Sequence, residues 1–125
     1  MKIAKGHQPV MPYLILKGAE DFIKFTEKVF NAKEVYKGYR DDDTSLIVHA
    51  EIQISGSNIM IADVTEDFGV ANANLFVYVD DADTTYSRAL QNGASTVNVI
   101  ADQNYGRSGG VRDPFGNVWW ITSIK

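Results

Sequence analysis

The C-terminal run Tyr105–Ser123, YGRSGGVRDPFGNVWWITS, constrains the fold more than any other part of the chain. Pro114 cannot donate to a sheet ladder, so a strand that reaches Asp113 has to stop there. Gly116 and the asparagine after it accept the backbone conformations of a tight turn, and the residues that follow alternate in character as a strand does. The spacing therefore predicts a hairpin of two strands, Gly106–Arg112 and Asn117–Ser123.

The same order of signals occurs twice along the chain, as strand, helix and then three strands. In the first half the pattern predicts strand Tyr13–Leu16, helix Ala19–Phe30, a strand near Glu34–Tyr39, and strands Leu46–Ser55 and Asn58–Val64. In the second half it predicts strand Leu75–Val79, helix Asp81–Gln91, a strand near Thr96–Ile100 and the C-terminal hairpin. Each helix carries an apolar stripe, so each is expected to pack one face on a sheet.

The hairpin sequence RDPFGNVW, together with the repeat, resembles the glyoxalase/bleomycin-resistance/dioxygenase superfamily, also called the vicinal oxygen chelate superfamily. The resemblance implies an α+β fold of two βαβββ modules, about residues 10–64 and 73–124, within a single domain covering residues 1–125. In that fold the modules form a cupped mixed sheet with the helices on its outer face. The resemblance also implies a homodimer.

Length and composition exclude several other classes of protein. A chain of 125 residues suits one cored domain. The net charge is −4 and the 12 basic residues are scattered, which argues against a nucleic-acid partner. No apolar stretch is long enough to span a membrane. The chain has no cysteine, so disulfides and thiolate chemistry are excluded, and a cytoplasmic location is the default expectation.

Strand alternation predicts which side chains line the cup, because residues two apart share a face and the helix-covered face is apolar. In the third strand one row is wholly apolar: Leu46, Val48, Ala50, Ile52 and Ile54. The other row therefore directs His49, Glu51 and Gln53 into the cup. The same logic places Leu75, Val77 and Val79 under the helices, and Asn74, Phe76 and Tyr78 opposite them. Alternation alone does not orient the last strand, where the family register places Trp120 inward.

Metal-dependent members of the superfamily use His, Gln or Glu ligands on the first and last strands of the modules. The matching positions in this sequence are Pro12, Asn74, Met60 and Trp120. None supplies the carboxylate or imidazole that divalent cations prefer, and the neighbouring residues supply none either. The sequence therefore predicts no catalytic metal and no cofactor.

The remaining polar residues leave alternatives open. His49 and Glu51 lie at same-face spacing and form either a catalytic or metal-binding pair, or a hydrogen-bonded structural pair. Arg107 and Arg112 could each hold a carboxylate or phosphate, with Arg107 the better ligand candidate and Arg112 assigned to an ion pair with Asp113 that fixes the turn. His7 is expected to be exposed and inert.

These observations favour a metal-independent protein that binds or sequesters a small organic ligand, as bleomycin-resistance proteins do. The predicted ligand-binding residues are His49, Glu51, Gln53, Asn74, Phe76, Tyr78, Arg107 and Trp120. The alternative is a glyoxalase-like lyase or isomerase, or a dioxygenase, with a metal held by His49, Glu51 and a third donor. The second module is rich in aromatic side chains, whose ring faces suit flat or cationic ligands.

Overall fold

The computed structural model of the chain describes residues 1–124, which form eight strands and two helices in the predicted order. Neither helix in this part of the chain is long and apolar enough to cross a membrane. The elements are β1 (Tyr13–Leu16), α1 (Ala19–Phe30), β2 (Lys33–Tyr39), β3 (Ile47–Ile54), β4 (Ser57–Asp63), β5 (Asn74–Tyr78), α2 (Ala82–Gln91), β6 (Ser95–Gln103), β7 (Gly106–Arg112) and β8 (Val118–Ser123).

The strands form two four-stranded mixed sheets, with orders β1-β4-β3-β2 and β5-β8-β7-β6. In each sheet the first strand of the repeat runs parallel to the last, and the other neighbours are antiparallel. The two sheets have the same connectivity, so the predicted α+β fold with a repeated βαβββ order is confirmed.

The chain divides into two compact units, and each unit holds one of the sheets. The first unit comprises Met1–Glu27 and Asn31–Ala71. The second comprises Lys28–Phe30 and the chain from Asn72 onward. The apolar core of the first unit comes from α1 and from the apolar rows of β1, β3 and β4. The largest buried side chain of the second unit is that of Trp119.

In each unit, the last residue of the last strand accepts hydrogen bonds from backbone N–H groups at the start of the helix. Gly18 precedes α1 and has no side chain to cap it, so the carboxylate of Asp63 accepts hydrogen bonds from the backbone N–H of Gly18 (3.2 Å) and Ala19 (2.9 Å). In the second unit the hydroxyl of Ser123 accepts from the N–H of Ala82 at 3.1 Å. Each of these bonds satisfies a backbone donor that the helix itself leaves unpaired.

The turn between β7 and β8 is organised by one buried carboxylate. Asp113 is only 3% exposed and accepts hydrogen bonds from the backbone N–H of Phe115 and Asn117, from the Asn117 side-chain amide and from the Trp119 indole N–H. These donors saturate the carboxylate within its own hairpin. The predicted ion pair between Arg112 and Asp113 is therefore wrong, and Arg112 lies exposed.

The predicted alternation in β3 fails at its first residues. Ile47 is fully buried and Val48 is 54% exposed, the reverse of the expected arrangement, whereas Ala50, Ile52 and Ile54 are buried as predicted. The ladder explains the change, because Gly38 pairs with His49 but the next residue of β2 pairs with Ile47. One extra residue of β3 is accommodated there as a β-bulge, which exchanges the faces that precede it.

Candidate functional site

Large aromatic side chains gather on one exposed face of the second sheet. Phe76 and Trp120 are direct neighbours across the parallel β5–β8 ladder. The Phe76 ring centroid lies 5.3 Å from that of Tyr78 and 6.1 Å from that of Tyr105. Phe76, Tyr78 and Tyr105 are 50%, 62% and 52% exposed. We call this surface, Phe76, Tyr78, Tyr105 and Trp120, the aromatic face.

Trp120 is held in place by two features of its neighbours. Its indole N–H donates to the side-chain oxygen of Asn74, two residues before Phe76 on β5. Its six-membered ring lies against Gly110 of β7, where a Cβ would come within 2.6 Å of the ring. Glycine at that position is what lets the ring lie close to the strand, since any larger residue would displace it.

The opposite face of the second sheet is occupied by α2. Tyr86 of α2 packs over Gly109, where a Cβ would lie 2.8 Å from the ring, and its hydroxyl is 2.8 Å from the Thr96 hydroxyl. Trp119 is 1% exposed on the same side. The two tryptophans thus point to opposite faces, as alternation in a strand requires. One belongs to the core and the other to the aromatic face.

Arg107 lies on the α2 side of the sheet rather than on the aromatic face. Its guanidinium donates two hydrogen bonds to Asp83 in the first turn of α2, at 3.0 and 2.9 Å, and lies 3.4 Å from Asp102. These hydrogen bonds hold the pKa of Asp83 below its usual value. Arg107 was predicted to bind a ligand carboxylate or phosphate, but β7 alternation turns it towards α2, where carboxylates of the protein itself occupy its guanidinium.

On the first sheet, the expected pairing of His49 with Glu51 is wrong. The carboxylate of Glu51 lies 2.7 Å from Nε2 of His7, and its side chain is only 7% exposed. The side chain of His7 is only 23% exposed and is bonded to Glu51, so the prediction that it is exposed to solvent is wrong. The N-terminal segment supplies the partner that a buried carboxylate in this strand requires.

The other polar residues of this face also have partners within the first unit. Nδ1 of His49 lies 3.2 Å from the Tyr13 hydroxyl. The Gln53 amide donates to the side-chain oxygen of Asn58 at 3.3 Å. Asn58 in turn bonds Gln8 through both its backbone and its side chain. His49, Glu51 and Gln53 share a face of the first sheet, but each is bonded to a different residue of the first unit: Tyr13, His7 and Asn58 respectively.

The positions that hold a metal in other members offer poor donors here. The ladders pair Met60 with Tyr13 and Trp120 with Phe76, which follow the first-strand positions Pro12 and Asn74 by one and two residues. A thioether, two phenyl-type rings and an indole do not suit a hard or borderline cation. Within residues 1–124 no three His, Asp or Glu side chains gather in a way that could hold an ion. The residues at these positions therefore do not fit a divalent metal.

Sequence reasoning missed the contact between His7 and Glu51 and the exposed position of Arg112, unpaired within residues 1–124. His7 carries no periodic signal because it precedes the first strand. The signal that could have indicated its role is the pair of polar residues Glu51 and Asn58 on buried strands. Buried polar side chains require hydrogen-bond partners, and the N-terminal segment supplies them here.

Comparison with known proteins gives one consistent result. A family model described as Glyoxalase/Bleomycin resistance protein/Dioxygenase superfamily matches residues 10–121. An uncharacterized protein of Mycobacterium tuberculosis (strain ATCC 25618 / H37Rv) is 31% identical over 120 residues, 86% of this chain and 69% of that protein.

Solved structures share the fold at lower identity. The PhnB protein from Bacillus cereus superimposes with a TM-score of 0.77 at 20% identity, covering 94% of this chain and all (100%) of that one. TnmS3, an antibiotic binding protein from Streptomyces sp. CB03234, gives a TM-score of 0.71 at 14% identity, covering 95% of this chain and 100% of its own.

Proposed function

Because the chain belongs to the glyoxalase/bleomycin resistance protein/dioxygenase superfamily, we propose that it binds a small organic ligand without a metal ion, on the aromatic face of its second sheet. The observation that carries this proposal is the half-exposed cluster of Phe76, Tyr78 and Tyr105 beside Trp120. Flat apolar ligands gain from stacking on such rings as well as from burial of apolar area.

The proposal also rests on how the rings are fixed. Trp120 is already oriented by its hydrogen bond to Asn74 and by its close approach to Gly110, so a ligand would not have to order it. TnmS3, a protein with the same fold, is an antibiotic binding protein, which supports the binding of a small organic ligand here. Sequestration of such a ligand without chemical change is the role we assign.

The enzymatic alternative requires a metal held by His49, Glu51 and a third donor. His49 bonds Tyr13 whereas Glu51 bonds His7, so the two residues do not form the pair that this alternative needs. No observation on the described residues favours it over binding.

A thermal-shift screen of chelator-treated protein against flat aromatic compounds, including bleomycin-type glycopeptides, tests the proposal. A ligand at a hundred times its Kd adds about 2.7 kcal/mol, which raises Tm by about 10 °C in a domain of this size. We expect Phe76→Ala to weaken binding about tenfold, the loss of one stacking partner and its apolar area.

The matched control is Phe68→Ala, because Phe68 is a 67% exposed phenylalanine in the loop between β4 and β5 and belongs to the first unit, whereas the aromatic face belongs to the second. This variant should bind like the wild type. A Tm shift that depends on added manganese, iron, nickel or zinc, or a ligand recovered chemically altered, would contradict metal-free sequestration. Equal losses in the two variants would contradict the assigned site.

Two further properties remain predictions, the first implied by the family and the second the default expectation for a sequence without cysteine. We expect a homodimer, which analytical ultracentrifugation would test, and a cytoplasmic location, which fractionation of the source cells would test.

A further inference from the structure

Arg112 differs from Arg107, the other arginine of β7, in the face of the sheet it lies on and in having no ion-pair partner among residues 1–124. Gly110 faces the Trp120 ring, and Arg112 lies two residues further along β7, so its side chain leaves the sheet on the same side. It is exposed, and residues 1–124 provide no ion-pair partner and no aromatic ring stacked under its guanidinium. By contrast, Arg107 is paired with Asp83.

The residues around Arg112 on this face are uncharged. Across the ladders it lies opposite Val118 of β8 and Ser95 of β6. The next pairs along the ladders add two asparagines: Asn98 of β6 pairs with Gly110, and Asn74 of β5 pairs with Val118. The strand residues on this side of the sheet therefore include one cation and no carboxylate, in a protein whose net charge is −4.

We infer that the ligand of the aromatic face carries an anionic group, such as a carboxylate or sulfonate, attached to a planar ring system, and that Arg112 binds this group. The inference rests on the proposed function, since it names the class of ligand for the same face. It reverses the predicted roles of the two arginines, because Arg107 is neutralised by α2 and Arg112 is available.

The dimensions of the sheet fit such a ligand. Residues two apart on a strand are separated by roughly 7 Å, which is the distance from Gly110, under the Trp120 ring, to Arg112. A fused two-ring system is about as long, so a ring stacked on Trp120 would carry a substituent to the guanidinium. The fork of Arg112 can then donate two parallel hydrogen bonds to the anion.

Calorimetric titration with 2-naphthoate and with its neutral amide, 2-naphthamide, tests the inference. We expect 2-naphthoate to bind wild-type protein about tenfold more tightly than 2-naphthamide, which is the gain from a charge-assisted hydrogen bond at an exposed site. Arg112→Gln should remove that preference and leave the affinity for 2-naphthamide unchanged. Arg112→Lys should retain part of it, because the charge remains but the fork is lost.

The control is Arg88→Gln, which makes the same charge change on an exposed residue of α2. It should leave both affinities as they are in the wild type. Equal binding of the acid and the amide, or equal effects of the two arginine substitutions, would overturn the role of Arg112 while leaving aromatic binding intact. Failure of both compounds to bind wild-type protein would count against the aromatic face itself, and the inference would fall with it.

Discussion

Replacement of Asp113 by Asn tests the account of the hairpin on which the aromatic face depends. Asn is nearly the same size as Asp, so packing is preserved, but one of the two oxygens becomes an NH₂ group. Each oxygen of Asp113 faces two N–H donors: Oδ1 those of Phe115 and Asn117, Oδ2 the Asn117 amide and the Trp119 indole. Whichever way the new amide turns, two donors oppose it.

The magnitude follows from those lost bonds. A hydrogen bond to a charged group contributes about 1.5–3 kcal/mol, and two are lost. Trp119 is 1% exposed, so water cannot replace the acceptor for its indole N–H. Allowing for local rearrangement, we expect Asp113→Asn to lower the free energy of unfolding by about 3 kcal/mol, a substantial part of the 5–15 kcal/mol typical of a domain.

Urea denaturation followed by far-UV circular dichroism measures this change. With a slope near 1.5 kcal/mol per molar urea, the midpoint should fall by about 2 M. The control is Asp67→Asn, the same chemical change on an exposed loop residue, which should leave the midpoint where it is. A fall of less than about 0.5 M for Asp113→Asn would refute the reasoning, because the carboxylate would then be replaceable by a single acceptor.

Three other substitutions have defined outcomes. His7→Ala removes a partner of buried Glu51 and should destabilise the protein by about 1–3 kcal/mol in urea melts. Gly109→Ala inserts a Cβ 2.8 Å from an α2 ring and should lower stability by about 1–3 kcal/mol, with a reduced Tm. Asp83→Asn should lower Tm at neutral pH but not in acid: Arg107 depresses the pKa of Asp83, so its contribution is present above about pH 4 and disappears as pH falls through the folded-state pKa. An unchanged Tm difference between pH 6 and pH 2 would contradict the last of these.

Most of the fold was predictable because its signals are local and periodic. Helix α1 and strand β7 have the predicted bounds, Ala19–Phe30 and Gly106–Arg112. The face of Phe76 on β5 follows from simple alternation. The side of Trp120 on β8 came from the family register, and the ladder places it next to Phe76.

The errors arose where non-local contacts decide the outcome. The bulge in β3 results from its pairing with β2, so the sequence of Ile47 and Val48 alone does not predict it. The partner of Glu51 comes from a segment 44 residues away. The roles of Arg107 and Arg112 depended on which face of β7 meets the acidic first turn of α2, a contact that the strand pattern does not specify.

The central claim is that a ligand binds on the aromatic face. The chain has two tryptophans, so a nitrogen-15 correlation spectrum contains two indole N–H signals, one from Trp119 bonded to Asp113 in the core and one from Trp120 bonded to Asn74 on the face. During titration with 2-naphthoate, the Trp120 signal should shift progressively to saturation while the Trp119 signal stays in place. A saturable titration in which Trp120 does not move would contradict the claim.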